Sequence, residues 1–171
     1  RVIYLSWLND LSITKLIASE ALNNNNKTES FIEDSFNRFM SNDCRGFFIK
    51  DSLRNKFIGT IKLDQISFTN KIAWDGIMIG DKSYHGKKIS IKSYQILLQF
   101  AFLELNLYKV MGGCNINNIA MIKTFQKIGY QQEGNFRNVD LIDKNYSGHL
   151  YFGIFKDEFN KNNNINLEII N

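Results

Sequence analysis

The chain has 171 residues, 44% hydrophobic and 22% charged, with a formal net charge of +4 and no proline, the ordinary composition of one globular domain minus any collagen-like or polyproline element. At this length roughly 70% of the unfolded chain's surface can be buried, so a core can hold the fold without disulfides or metal. Cys44 and Cys114 stand far apart with no C-x-x-C pair, no run of 18 apolar residues occurs and the start lacks a signal-peptide pattern, which argues for a reducing, cytoplasmic setting without membrane insertion.

Leu5, Leu8, Leu11, Leu16 and Ile17 predict a first helical region ending at the Asn23–Asn26 loop. Ser30 and Glu33 make a capping-box pattern, each side chain satisfying a free backbone N–H, so a second helix is expected from there to Met40. Strands around Gly46–Lys50 and Phe57–Ile66 flank the polar turn Asp51–Lys56 and read as a hairpin. A third strand, Ile72–Ile79, follows the turn Ser67–Asn70. Tyr94, Leu97, Leu98, Ala101, Phe102 and Leu105 form one apolar stripe, the clearest helix in the chain, with Asn106 as its stop. Tyr108–Cys114 is a strand carrying Gly112 and Gly113. The next helix opens at Asn117 or Asn118, turns Ile119, Ile122, Phe125 and Ile128 inward, and ends at Gly129, which can take the left-handed conformation. Strands Tyr130–Val139 and Tyr146–Lys156, around the turn Leu141–Asn145, complete a domain over residues 1–159. Residues 160–171 read as a polar Asn-rich tail, part of a stretch that begins at Asp157 and on which Leu167, Ile169 and Ile170 can still dock. This order predicts an α+β fold with helices on both faces of a sheet.

The polar loop Gly80–Ser90 lies between a strand and the start of the long helix. Free N–H groups and the positive end of the helix dipole make such a place an anion site, and Lys82, Lys87 and Lys88 add charge there. The plain alternative is a solvated loop. The lysines elsewhere are dispersed and no aromatic-basic signature appears, so nucleic acid is not the expected partner.

Four segments carry a resemblance: Gly59-Thr60-Ile61-Lys62-Leu63, Gly76 through Lys87, Phe100 through Leu107, and Asn118 through Gly134. In order and spacing they resemble the GCN5-related N-acetyltransferase (GNAT) superfamily, in the branch similar to ribosomal-protein-alanine N-acetyltransferases. The resemblance implies a mixed, mostly antiparallel twisted sheet, splayed to admit acetyl-CoA as cosubstrate, with no metal. It implies acetyl transfer to a primary amine, either a small molecule such as an amino sugar or a protein N-terminal amine, by direct attack in a ternary complex. The alternative is an acyl-CoA-binding sensor without turnover. Monomer or homodimer is expected. Family members begin with a strand, and only Arg1–Leu5 precede the first helical region, so part of that strand is expected to be missing.

Within the resemblance, Gly86, Lys87, Lys88, Ile89 and Ser90 match the loop that wraps the CoA pyrophosphate with backbone N–H groups. Ser83 and Lys88 depart from the family's long polar residue and its glycine or alanine. Ile77, Met78 and Ile79 match the strand edge that pairs with the pantetheine arm, and with no proline any splay beside them must come from sheet twist or from Gly76, Gly80, Gly112 and Gly113. Asn118 matches a CoA-binding asparagine and equally suits an N-cap. Phe125 stands where many members carry a tyrosine that protonates the departing thiolate, and reads by itself as core. For the base that takes the amine's proton, Asp75, flanked by apolar residues, and His85, in the phosphate loop, are the leading candidates, ahead of Glu133 and Asp140. His149 shows no partner in the sequence.

Overall fold

The computed structural model describes residues 1–15, 17 and 27–162. Helices α1 (Val2–Leu8), α2 (Leu11–Thr14) and α3 (Glu29–Phe39) precede strands β1 (Arg45–Asp51), β2 (Lys56–Ser67) and β3 (Ile72–Ile79). Then come α4 (Ile89–Gln99), β4 (Lys109–Asn115), α5 (Ile119–Ile128), β5 (Gln131–Ile142), β6 (Asn145–Phe155) and α6 (Lys156–Asn162). The strands form a six-stranded sheet in the order β1-β2-β3-β4-β6-β5. All neighbours are antiparallel except β3 and β4.

Two cores sandwich the sheet. On one face the stripe of α4, with Tyr94, Leu97, Leu98, Ala101 and Phe102 all buried, packs with Phe125 and Ile128 of α5 against Leu63, Ala73, Val110 and Phe152. On the other face Tyr4, Trp7 and Leu8 of α1 pack with Ile32 of α3 against Met78. The long helix does not stay α-helical to its end: Phe100–Glu104 widens to π-type bonding, with Leu105 N–H on the Phe100 carbonyl at 3.1 Å.

Several local expectations are corrected. The first helical region starts earlier than Leu5, at Val2, and no strand forms over Val2–Leu8. The first helical region is two short helices broken at Asp10, whose side chain caps α2 by accepting from Ser12 N–H; its predicted continuation over Leu16 and residues 18–26 lies outside the described residues. The Ser30 capping box is not made. α3 starts two residues earlier, after Thr28, whose hydroxyl pairs with the Ser30 hydroxyl at 2.7 Å. Ile119 is exposed, because α5 turns only its later residues inward. The last hairpin is longer than predicted, since Asp143 and Lys144 both take positive φ and make a two-residue turn. Asp157–Asn162 is helical rather than tail, anchored by buried Phe159 against the Phe102 ring at 5.5 Å. Leu167, Ile169 and Ile170 lie outside the described residues.

Candidate active site

The sheet splits in its middle. β3 and β4 pair in parallel only at Ile72–Lys109, Ala73–Val110 and Trp74–Met111. Beyond that point β3 stays paired to β2 as far as Ile79, and β4 stays paired to β6 as far as Asn115. The edge Asp75–Ile79 is therefore turned toward an opening with no strand opposite. No proline causes it; Gly112 and Gly113 line the β4 side, each accepting a bulky neighbour from a different face. A Cβ on Gly112 would lie 2.5 Å from Asp75 Oδ1, and one on Gly113 would lie 2.6 Å from His149 Nε2.

Asp75 stands where the opening begins, on the α4/α5 face. It accepts hydrogen bonds from Tyr94 Oη at 2.8 Å and Tyr130 Oη at 2.6 Å. Although the residue keeps some exposed surface at the open edge, its carboxylate is enclosed by these rings, Gly112 and Phe125. Burial pushes its pKa up to about 7 against the lowering effect of the two tyrosines, whose own pKa values are raised by burial and by the Asp75 charge. Phe125 is a core residue, stacked on Phe152 at 4.8 Å and tilted on Tyr130 at 4.8 Å.

At the far end of β3 the loop takes the backbone shape that an anion needs. Gly86 has φ 74°, with nothing within 4 Å of a Cβ placed there, and Lys88 has φ 61° as the residue before α4. Among the described residues the amides of Gly86 and Lys88 have no protein acceptor, and those of Ile89 and Ser90 begin the first helical turn, where N–H groups lack intrahelical partners. Lys88 thus adopts the left-handed conformation that glycine takes most readily. The lysines are partly spoken for: Lys82 pairs with Asp10 at 2.6 Å, and Lys87 lies over the Tyr84 ring at 5.3 Å. His85 Nε2 is bonded to the Ile79 carbonyl at 2.8 Å, so the imidazole covers the end of the β3 edge. Asn118 caps α5 by accepting from Met121 N–H at 3.1 Å.

A pocket of about 400 Å³ opens on the opposite face, over Gly76, Ile77 and Met78 and beneath Tyr4, Phe31 and Phe39. Its cations are internally paired: Arg38 with Asp43 and Asp64, Lys62 with Asp64 at 2.5 Å. Asp34 on its rim has no ion-pair partner among the described residues.

One group was not legible in the sequence. His149 Nδ1 lies 2.8 Å from Asp140 Oδ2, and the two side chains are each only 12% exposed. Asn115, fully buried, donates to Asp140 Oδ2 at 2.8 Å and to Ser147 Oγ at 2.5 Å. Asp140 pairs with Ser147 across the hairpin, after an irregularity between Phe136 and Asp140. That shift in register is the signal that sequence periodicity does not carry. Glu133 is held apart from this group by Lys109 at 2.7 Å. Among the described residues no three metal-ligating side chains cluster, and no helix is long and apolar enough to cross a membrane.

Residues 2–131 match the model of the acetyltransferase (GNAT) domain. The chain belongs to the GNAT family. It is 26% identical over 92 residues to the uncharacterized N-acetyltransferase YnaD of Bacillus subtilis, covering 54% of this chain and 52% of that one. It is 23% identical over 133 residues to the spermidine N(1)-acetyltransferase of Escherichia coli K12, covering 77% and 70%. The match thus spans about half the length of YnaD and 58% of a second Bacillus relative, YjcK. The crystal structure of Vibrio cholerae spermidine N-acetyltransferase with CoA and spermine has the same fold, with a TM-score of 0.81 at 20% identity over 92% of this chain and 89% of that one. The six-stranded, mostly antiparallel open sheet with helices is therefore the GNAT fold in this chain.

Proposed function

We propose that this GNAT chain is an acetyl-CoA-dependent N-acetyltransferase acting on a small primary amine. The observation that carries the reading is the opening between β3 and β4, with an amide-lined loop at one end, a buried acid where it begins and an aromatic pocket on its other face.

The residues fit the cosubstrate: a Cβ-free Gly86 leaves room beside free amides, and the unpaired β3 edge offers backbone groups along an extended arm. In this reading Gly86 to Ser90 hold the pyrophosphate, Ile77 to Ile79 line the arm, and Asn118 with Phe125 bound the far side. Acetyl-CoA supplies the activated acyl carbon. Backbone N–H groups near Met78 steady the carbonyl oxygen as it gains charge. The pocket over Gly76 aligns the amine, which removes the entropy of bringing two reactants together. Asp75 serves the sulfur side: it faces α4 and α5, away from the pocket, and with Tyr130 it supplies the proton that Phe125, lacking a hydroxyl, does not. His85, bonded to Ile79, acts as a gatepost of the loop.

Paired cations and an Asp34 with no ion-pair partner among the described residues favour a cationic acceptor, and the names of the Escherichia coli and Vibrio cholerae relatives make spermidine the first to test. A peptide α-amine is the acceptor suggested by the ribosomal-protein branch. The two buried, unpaired cysteines suit a reducing cytoplasm. The test is thiol release from acetyl-CoA with spermidine, putrescine, glucosamine and an alanine-led peptide, beside calorimetric CoA binding. Amine-dependent release is expected. CoA binding without release for any amine would mark a binding module, and no CoA binding would end both readings.

A further inference from the structure

We propose that His149, positioned by Asp140, is the base that takes the proton from the acceptor amine. This rests on the transferase reading above. A carboxylate only accepts hydrogen bonds, so the 2.8 Å contact with Asp140 Oδ2 places the imidazole hydrogen on Nδ1. Neutral His149 then presents a bare lone pair at Nε2, which has no partner among the described residues.

That nitrogen faces the right place. Gly113, whose lack of a side chain admits it, lies on the stretch of β4 that β3 no longer pairs, at the opening. Gly113 pairs with Tyr151 of β6, and the Tyr151 ring meets His149 at 4.9 Å and, at 5.9 Å, Trp74, the last β3 residue paired to β4 before the opening. Trp74 is two residues from Gly76 on β3, so His149 shares the face of the sheet on which the pocket lies. Asp75, bonded to Tyr94 and Tyr130, occupies the opposite face. Base and acid thus stand on the two sides of the opening, one for nitrogen and one for sulfur.

Asp140 is a positioning residue. Asn115 holds it, and Asn115 is itself oriented because its Oδ1 accepts the Asn117 N–H at 2.9 Å, just before α5. The titratable groups packed around the imidazole are Asp140 on β5 and Tyr151 on β6; the Cys114 thiol on β4 is pushed up to about 12 by burial, with Asp140 and Asp75 adding to it, and stays neutral. In the step itself the neutral amine nitrogen attacks the thioester carbon and the C–N bond forms. The C–S bond breaks, with the electron pair left on sulfur. The surplus proton on nitrogen passes to His149 Nε2, the imidazolium is steadied by Asp140, and the thiolate takes a proton on the Asp75 side.

The chain has only two histidines, so both can be followed by nitrogen NMR on the intact protein. The expected spectrum shows His149 as the Nδ1–H tautomer, with its Nε2 signal shifted by added acetyl-CoA. D140N turns an amide N–H toward Nδ1 and should convert the ring to the Nε2–H form. With spermidine, or whichever amine of the panel turns over fastest, H149Q and D140N should lose about 100-fold or more in kcat. The KM for acetyl-CoA should stay within about twofold. An Nε2–H tautomer in the wild-type chain, or H149Q within about threefold of wild-type kcat, overturns the proposal. If H149Q does not fold, the wild-type tautomer and D140N decide. A wild-type chain that binds CoA but releases no thiol fails the transferase reading instead, and the tautomer and its response to acetyl-CoA still judge the histidine.

Discussion

Asparagine at position 75 keeps the size of the side chain and a carbonyl for one tyrosine while removing the charge, so D75N isolates what the buried acid costs. The carboxyl is raised from 3.8 to about 7 chiefly by burial, which corresponds to about 4 kcal/mol. A raised carboxyl binds its proton more tightly in the folded chain than in the unfolded one. Its stabilisation is therefore complete below the unfolded pKa and is lost as pH rises toward 7. Between pH 5 and pH 8 the loss comes to about 2.5 kcal/mol. Urea unfolding of wild type and D75N across that range should give two lines that diverge, wild type falling and D75N holding level by comparison. Asp10, Asp51 and Asp81, each lowered to about 2, act in the opposite sense and at more acid pH, and they cancel in the comparison. Y130F supplies an internal control: without the hydrogen bond that lowers the Asp75 pKa, the falling limb should move to higher pH. Parallel lines for wild type and D75N from pH 5 to pH 8 would refute the argument.

Three other expectations follow from single contacts. A side chain at Gly112 would meet Asp75 Oδ1 at 2.5 Å and Phe125 Cζ at 2.8 Å, so G112A should lose about 1–3 kcal/mol in urea unfolding and release thiol more slowly. K88G relieves the positive φ of the residue before α4 and should gain about 0.5–1 kcal/mol; because the loop would hold pyrophosphate through amides, calorimetric CoA affinity should change little. Cys44 and Cys114 are buried, and burial raises both thiols, so a disulfide reagent should label neither at a useful rate until the chain is unfolded. Initial-rate patterns should accordingly be those of a ternary complex, with no acetyl-enzyme.

What the sequence discloses here is what local spacing controls. The stripe from Tyr94 to Phe102 is buried as its period requires, Asn118 and Gly129 cap their helix as their residue types allow, and the β1–β2 hairpin closes at its polar turn. The opening beside Ile77 to Ile79 follows from the family resemblance, and the geometry adds what lines its β4 side: two adjacent glycines that admit Asp75 from one face and His149 from the other. Charge is where local reading fails. Lys82 looks free in the loop and is bound to Asp10, seventy-two positions earlier; the two tyrosines that enclose Asp75, Tyr94 and Tyr130, lie nineteen and fifty-five positions away from it. His149 looks solitary because its partner is chosen by hairpin register. The irregularity between Phe136 and Asp140, where Asn138 takes a φ of 54°, restores pairing at Ser147 and lays the Asp140 carboxylate on the imidazole. Without that two-residue shift Asp140 would stand opposite Asn145, four residues from His149 instead of two, and removing only one of the two extra residues sends its side chain to the other face of the sheet. Deleting one residue of the bulge, Asn138, should therefore separate the dyad while leaving the β3–β4 opening intact. Calorimetric CoA binding is expected to survive that deletion and amine-dependent thiol release to fall as far as in H149Q; equal loss of both would mean that the hairpin shapes the cleft as a whole rather than placing one base.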